Sequence, residues 1–282
     1  MTEQVAAPAP APAAARPGSR GTALVRRPGP RLAEGIVTHV ARRPVDVDVA
    51  LDQHRGYVAA LAGHGWTPSA VPPADDQPDA VFVEDTVVIV DDLAVVTRPG
   101  APVRRGELAG ARSAVAALGL RTAHLDAPAT LDGGDVLQVG RTVYVGRGGR
   151  TNAAGVRALR ALVAPLGRTV VPVGLRGVLH LKSAVTALPD GTLLGLPELV
   201  DAGGLPALRV PPEPEGAHVV PLGDAAVLLA ASAPRTAAWL DGLGFDVVAV
   251  EVGELEKLEG CVTCLSVLVP GSAGFSETPA AW

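Results

Sequence analysis

Both cysteines of this 282-residue chain fall within one decapeptide, GCVTCLSVLV at 260–269. A C-x-x-C pair can be a redox couple or half of a zinc site. The redox use wants its first thiol at a helix N-terminus, whereas this β-branched run predicts a strand. Residues three apart on a strand face opposite ways, so a disulfide between Cys261 and Cys264 is not expected. Zinc wants four ligands, and no second C-x-x-C or H-x-x-x-H occurs. Two readings remain open. Both thiols are small core residues, or one is a nucleophile at a strand end whose base comes from elsewhere in the chain.

Six histidines could supply that base. The pattern puts His54 and His64 on or beside a helix, His39 and His124 in strands, and His218 at the start of a strand. His180 differs, because it stands in GLRGVLHLKSAV, where one structural unit hands over to the next. In LDGGDV, Asp132 precedes a glycine pair that lets backbone approach a ligand closely. FVED places Glu84 and Asp85 at a strand end, with Asp79 just upstream. Acids in turns are ordinarily solvated, but three gathered at corresponding positions of a repeat would suit a cation.

A repeat is what must position them. A short Val-rich strand, a tight turn, a returning strand, an Ala/Leu-rich helix and a closing strand recur four times. The first unit is AVFVEDTVVIV, LAVVT, RRGELAGARSAVAALG and TAHLDA; the second is DVLQV, TVYVG, TNAAGVRALRALVAPLG and TVVPV. SAVTAL, TLLGL, a short helical PELVDAGG and ALRVP form the third, and HVVPL, AAVLLAA, APRTAAWLDGLG and DVVAV the fourth. The fifth is split between the chain ends: CVTCLSVLV supplies a strand, GIVTHV its partner and VDVALDQHRGYVAALAGHG the helix. Gly or Asp occupies the tight turns, helices end at Gly, and Thr151-Asn152 precedes a helix as an N-cap would. Units of about 45 residues imply radial repetition. The expected fold class is therefore α/β, a five-bladed propeller of ββαβ units. A Rossmann sheet is disfavoured, because no G-x-G-x-x-G follows a first strand and GRGGR at 146–150 has the wrong spacing.

Composition narrows the function classes. The chain is 48% apolar but only 3% aromatic, so its core must be Val, Leu and Ala. A net charge of −5 with no basic stretch argues against nucleic acid as a partner. No window of about 18 uncharged apolar residues predicts a membrane span. Two neighbouring cysteines cannot frame a fold this long, which favours a reducing, cytoplasmic setting. The Ala/Pro-rich residues 1–21 carry no secretory h-region and read as a disordered tail. One domain over 22–282 is expected.

The segments PDAVFVEDTVVI, TRPGAPVRR, TLDGGDVLQVG, GRTN, LHLKS and TCLSVLV, in this order and spacing, resemble dimethylarginine dimethylaminohydrolases of the guanidine-modifying superfamily. The likeness runs from about residue 23 to about 270 and implies the five-bladed α/β propeller already reached from the repeat. It implies Cys264 as nucleophile, His180 as general acid and base, and Asp132 as the carboxylate orienting His180. Asp85 would grip the guanidino nitrogens, with Glu84 and Asp79 beside it in the substrate pocket. Arg98 and Arg150 would hold the substrate α-carboxylate, and the backbone at Leu258-Glu259 would meet the α-amine. Cys261 stands where the family needs no cysteine and is expected to be structural. A lid is expected over residues 29–35.

The implied reaction hydrolyses Nω-methylated L-arginine to L-citrulline and an amine through a thiouronium on Cys264, with no metal and no cofactor. Arginine deiminases carry an acid two residues after the catalytic His. Here that residue is Lys182, which favours a methylated guanidinium. The implied partner is a small molecule, and the enzyme would act as a monomer or homodimer. A hydrolase of arginine or another small guanidine, and a non-catalytic propeller serving as a binding module, are the alternatives.

Overall fold

The structure is a computed structural model and describes residues 20–271. Among the described residues, fifteen strands form five three-stranded sheets of identical topology. One comprises β1 (Gly21–Val25), β2 (Trp66–Ala70) and the last strand, Ser266–Pro270. The next is β3 (Val87–Val90), β4 (Leu93–Val96) and β5 (Arg121–His124). Then follow β6 (Val136–Val139), β7 (Thr142–Arg147) and β8 (Thr169–Gly174). The remaining sheets are β9 (Val185–Ala187), β10 (Leu193–Gly195) and β11 (Leu208–Arg209), and β12 (Val219–Pro221), β13 (Ala226–Ala230) and β14 (Asp246–Val250), which makes Ser266–Pro270 β15. In each sheet the middle strand runs antiparallel to the inner strand and parallel to the outer one.

A parallel neighbour requires a crossover, and helices supply it in four sheets: α1 (Val47–Gly63), α2 (Leu108–Ala117), α3 (Ala153–Val163) and α4 (Pro234–Gly242). Asn152 caps α3 by accepting from Gly155 N at 2.8 Å. After these helices the chain turns at Gly65, Gly119, Gly167 and Gly244, all with positive φ, as the sequence led us to expect. The unit containing β9–β11 has no α-helix. Its PELVDAGG crosses over through two 3-10 turns, Pro197–Leu199 and Ala202–Gly204.

Two local expectations are corrected. The strand pairing with the C-terminal run is Gly21–Val25, not GIVTHV at 35–40. Gly21–Val25 lies between β15 and β2 and is largely buried, whereas residues 38–40 are exposed, so His39 is in a loop. The strand at Gly21 also moves the expected tail boundary. Residues 1–19 lie outside the described residues, and Arg20 N donates to Gly65 O at 2.9 Å.

The second correction concerns every inner strand. Each is preceded by a 3-10 turn: Val83–Thr86, Gly133–Asp135, Leu181–Ser183, Pro214–Ala217 and Val262–Leu265. VED of FVED and VTC of CVTC are thus tight turns where continuous strand was expected. The inner strands surround a central cavity of ≈ 430 Å³ with Val, Leu and Ile on its wall. Apolar clusters fill the spaces between neighbouring sheets and their helices; one joins Tyr57 and Leu61 of α1 to Val262 and Leu265. No helix among the described residues is long and apolar enough to cross a membrane.

Candidate active site

The five 3-10 turns put chemistry at two recurring positions. The residues capping them are Phe82, Asp132, His180, Glu213 and Cys261. Three residues further on stand Asp85, Asp135, Ser183, Gly216 and Cys264. A pseudo-fivefold axis carries one end of each turn to the same place, so residues far apart in the chain meet around it.

His180 and Asp132 form the buried centre. His180 Nε2 lies 3.1 Å from Asp132 Oδ2, and His180 Nδ1 lies 3.8 Å from Asp85 Oδ1. Asp132 is wholly buried and its other oxygen accepts from Gly100 N at 2.8 Å. The glycine pair of LDGGD is required by packing. A Cβ on Gly134 would sit 2.8 Å from both Asp85 Oδ1 and His180 Nδ1, and one on Gly133 would collide with the Glu84 carbonyl. Gly134 N instead donates to Asp85 Oδ1 at 3.0 Å.

These charges set the protonation states. Burial alone would lower the His180 pKa, but the charge of Asp85, the bond to Asp132 and the charge of Asp135 raise it to about 9. Burial would raise the Asp85 pKa, yet His180 and Arg104 bring it down to about 2. At neutral pH the site therefore holds an imidazolium between carboxylates. Cys264 Sγ lies 3.4 Å from Cys261 Sγ. The bond to Cys261 and burial raise the Cys264 pKa, and the charges of Cys261, Glu84 and Asp85 add to the rise.

Cys264, His180, Asp85 and Asp79 line one narrow cavity, with Arg150, Leu258 and Glu259 around it. Asp132 stands just behind, touching His180 and lying 3.8 Å from Arg150 Nη1. Arg150 Nη1 is buried and has no hydrogen-bond partner. A buried guanidinium nitrogen without an acceptor is costly, so it stands ready for an anion. Asp79 is the second acid facing the cavity, and burial raises its pKa. Its Oδ1 accepts from Ile36 N at 3.0 Å.

Besides Asp132, two expected site residues do not line this cavity. Glu84 turns into the central cavity on the other side of the turn, bonded to Lys182 Nζ at 2.5 Å and to Thr263 Oγ1 at 3.2 Å. Successive residues of the turn cannot point the same way, and Asp85 has the inward direction. Arg98 donates to Ala129 O at 3.1 Å and bridges Leu131, which holds the Asp132 strand-end in place. The arginine of this segment that does line the cavity, with Arg150, is Arg104, six residues on in TRPGAPVRR. Its Nη1 donates to Asp85 Oδ2 at 2.5 Å, and Nε and Nη2 each donate to Glu107 at 2.8 Å. Tandem arginines in TRPGAPVRR were the only sequence signal for it.

Asp135, the second acid of LDGGD, was also missed. It is fully buried, with Oδ2 accepting from Thr151 Oγ1 at 2.5 Å and Oδ1 from Leu181 N at 3.0 Å. It ties the GRTN segment to the His180 turn. Burial raises its pKa to about 7 against the opposing pull of His180 and Thr151. The expected lid is displaced along the chain. Ile36 lines the cavity, and Thr38 N and His39 N each donate to the Glu259 carboxylate at 2.6 Å. The covering segment is thus centred after residue 35.

The ligand atoms of Asp85, Asp132 and His180 lie within 4.8 Å of one another, a spacing a cation could use. Their oxygens already accept from Gly134, Arg104, Gly100 and His180. That arrangement suits proton transfer and recognition of a planar cation.

No family model matches the chain. It is 60% identical over 246 residues to the N(G),N(G)-dimethylarginine dimethylaminohydrolase of Streptomyces coelicolor, spanning 87% of this chain and 95% of that protein. It is 33% identical over 248 residues to the protein of the same name from Pseudomonas aeruginosa, spanning 86% of this chain and 97% of that one. A solved dimethylarginine dimethylaminohydrolase adduct with S-methyl-L-thiocitrulline superposes with a TM-score of 0.83 at 31% identity, over 88% of this chain and 99% of the other. A Pseudomonas aeruginosa structure complexed with citrulline gives 0.80, over 89% and 100%. A saxitoxin-pathway amidinotransferase from Microseira wollei shares the fold at 0.76 and 15% identity, over 92% and 97%. With 60% and 33% identity running along nearly the whole length of these two relatives, the chain belongs to the dimethylarginine dimethylaminohydrolase family.

Proposed function

We propose that the chain hydrolyses Nω-methylated L-arginines to L-citrulline, releasing dimethylamine or methylamine. The observation that carries this is one cavity lined by a thiol, an imidazolium, the acids Asp79, Asp85 and Glu259, and an arginine nitrogen without an acceptor. Arg150 would take the substrate α-carboxylate and the Leu258-Glu259 backbone its α-amine. Asp85, held by Arg104 and Gly134 N, would fix the guanidinium plane beside Cys264.

A guanidinium beside the thiol adds a positive charge where Cys261, Glu84 and Asp85 disfavour the thiolate, so binding itself promotes ionisation. The thiolate adds to the guanidinium carbon. With Nε2 tied to Asp132, His180 Nδ1 gives its proton to the departing amine. Neutral His180 then removes a proton from the water that attacks the thiouronium, and citrulline leaves. Acid and base duty from one residue follows from the two-step course. Lys182 is engaged with Glu84 on the far side of the turn, so position 182 offers no second acid to an unmethylated nitrogen.

The acidic net charge supports an enzyme without a nucleic-acid partner, and no helix among the described residues is long and apolar enough to cross a membrane; the reading places it in the cytoplasm as a monomer or homodimer. Citrulline formation from asymmetric dimethylarginine, monomethylarginine and arginine, measured side by side, tests the reading. Methylated substrates should turn over with the higher kcat/KM. Preference for arginine would move the enzyme to the deiminase class, and no turnover of any of the three would favour a binding module.

A further inference from the structure

The proposed mechanism uses one of the two thiols and leaves Cys261 without a task. The structure places it where a task exists. Cys261 caps the 3-10 turn Val262–Leu265, and Cys264 N donates to Cys261 O at 3.1 Å. That turn replaces the strand on which the side chains would have diverged, and brings the sulfurs to 3.4 Å. Both are free and buried. Only Cys264 lines the substrate cavity, so a small molecule entering there meets Cys264 first, with Cys261 behind it.

We propose that Cys261 is a resolving thiol, and that hydroperoxides convert the pair to a Cys261–Cys264 disulfide that switches turnover off reversibly. The loss of turnover rests on Cys264 being the nucleophile; formation of the disulfide does not.

The chemistry balances. Cys264 passes its proton to the Cys261 thiolate it is bonded to and attacks the distal oxygen of a hydroperoxide, the proton going on to the departing oxygen. An S–O bond forms, the O–O bond breaks, and the alkoxide or hydroxide takes up a proton. Sulfur loses two electrons and the peroxide gains them, leaving Cys264 sulfenic acid. Cys261 thiolate then attacks Cys264 Sγ. The S–S bond forms, the S–O bond breaks, and hydroxide leaves as water after protonation. Two equivalents of a small thiol reverse it by exchange. Bringing the sulfurs from 3.4 Å to the bonded distance of about 2 Å needs adjustment within one turn.

Two features favour resolution over further oxidation. The second thiol is already in place, so the step is intramolecular. Its pKa is also lowered by the bond from Cys264, against the opposing effect of burial, which supplies the thiolate that exchange requires.

The test treats the full chain with hydrogen peroxide, alkylates the remaining thiols and reads intact and peptide masses alongside citrulline formation. Wild type should become about 2 Da lighter with both alkylation sites lost together. Turnover should fall in parallel and return with dithiothreitol, and saturating citrulline should slow the reaction. Cys261→Ser should instead gain one to three oxygens, with loss that dithiothreitol does not restore once past sulfenate. Wild type that gains oxygen without any lighter species overturns the proposal, and this readout stands even if the variant does not fold. A lighter species that keeps full turnover would instead remove Cys264 from its role as nucleophile.

Discussion

Replacing Asp132 by Asn tests the centre of the site with almost no change of volume. Asp132 accepts from Gly100 N through one oxygen and faces His180 Nε2 with the other. An asparagine can serve only one of these with its carbonyl. Its amide must then point N–H at N–H, either towards Gly100 or towards the imidazolium with Arg150 Nη1 nearby. His180 sits at about 9 against an ordinary value near 6.5, a preference for the charged ring of about 3 kcal/mol. Asp85 and Asp135 remain in the variant, so part of that preference survives. We expect the alkaline limb of kcat/KM to move from about pH 9 to between about pH 7 and 8. Misorientation of the ring adds to this, and positioned acid–base catalysis is worth about 10²–10⁴. At pH 7.5 kcat/KM should therefore fall by roughly 10²-fold or more. The assay is citrulline release across pH 6–10 under subsaturating substrate, with the imidazole titration followed by NMR. A limb that stays near pH 9 while the rate collapses would show that Asp132 does not set the protonation of His180. A rate within about threefold of wild type would refute its role altogether.

Cys264→Ser should abolish turnover with a melting temperature close to wild type, whereas His180→Ala should accumulate a thiouronium, visible as a mass increase, only from a substrate whose leaving group needs no proton; wild-type turnover in either variant overturns the role. Arg150→Ala should raise KM for amino-acid substrates by about 10–150-fold, the range for a hydrogen bond to a charged group, with kcat little changed. Arg98→Ala should leave KM within a few-fold of wild type, because its side chain is spent on Ala129 O; equal KM effects would show that Arg98 reaches substrate after all. Stability should fall as pH rises from about 5 to about 9. Asp135, Glu84 and His180 keep protons in the folded state to about 7, 8 and 9, whereas unfolded chains release them at about 4, 4.3 and 6.5; His54, neutral in the folded state above about 4, and Cys261, whose pKa is lowered, oppose them but are outnumbered, so the native state binds more protons over most of that range. Melting temperatures that rise or stay flat over that interval would contradict these protonation states.

The sequence by itself determined the repeat and most of the chemistry. Hairpin turns, helix-ending glycines and the Asn152 cap are decided within a few residues of themselves, which is why four units could be delimited from pattern alone. The thiol, the imidazole and the Asp132 and Asp85 carboxylates were legible because each stands in a short, order-preserving motif. Only the tertiary structure decided which way neighbouring residues face. Glu84 and Asp85 are adjacent in the chain, yet the 3-10 turn sends one to the central cavity and the other to His180. The same geometry made Cys261 a neighbour of Cys264 where a strand would have separated them. Arg104, not Arg98, joins Arg150 at the cavity, through buried contacts to Asp85 and Glu107 that no local pattern encodes. Strand pairing obeyed the same logic. GIVTHV has the β-branched composition of a strand, but Gly21–Val25 takes the β15 ladder, and Ile36 lines the cavity with the amides of Ile36, Thr38 and His39 taken by Asp79 and Glu259. Short-range rules govern elements, whereas the direction of a side chain at a turn depends on what the other four units place around the common axis.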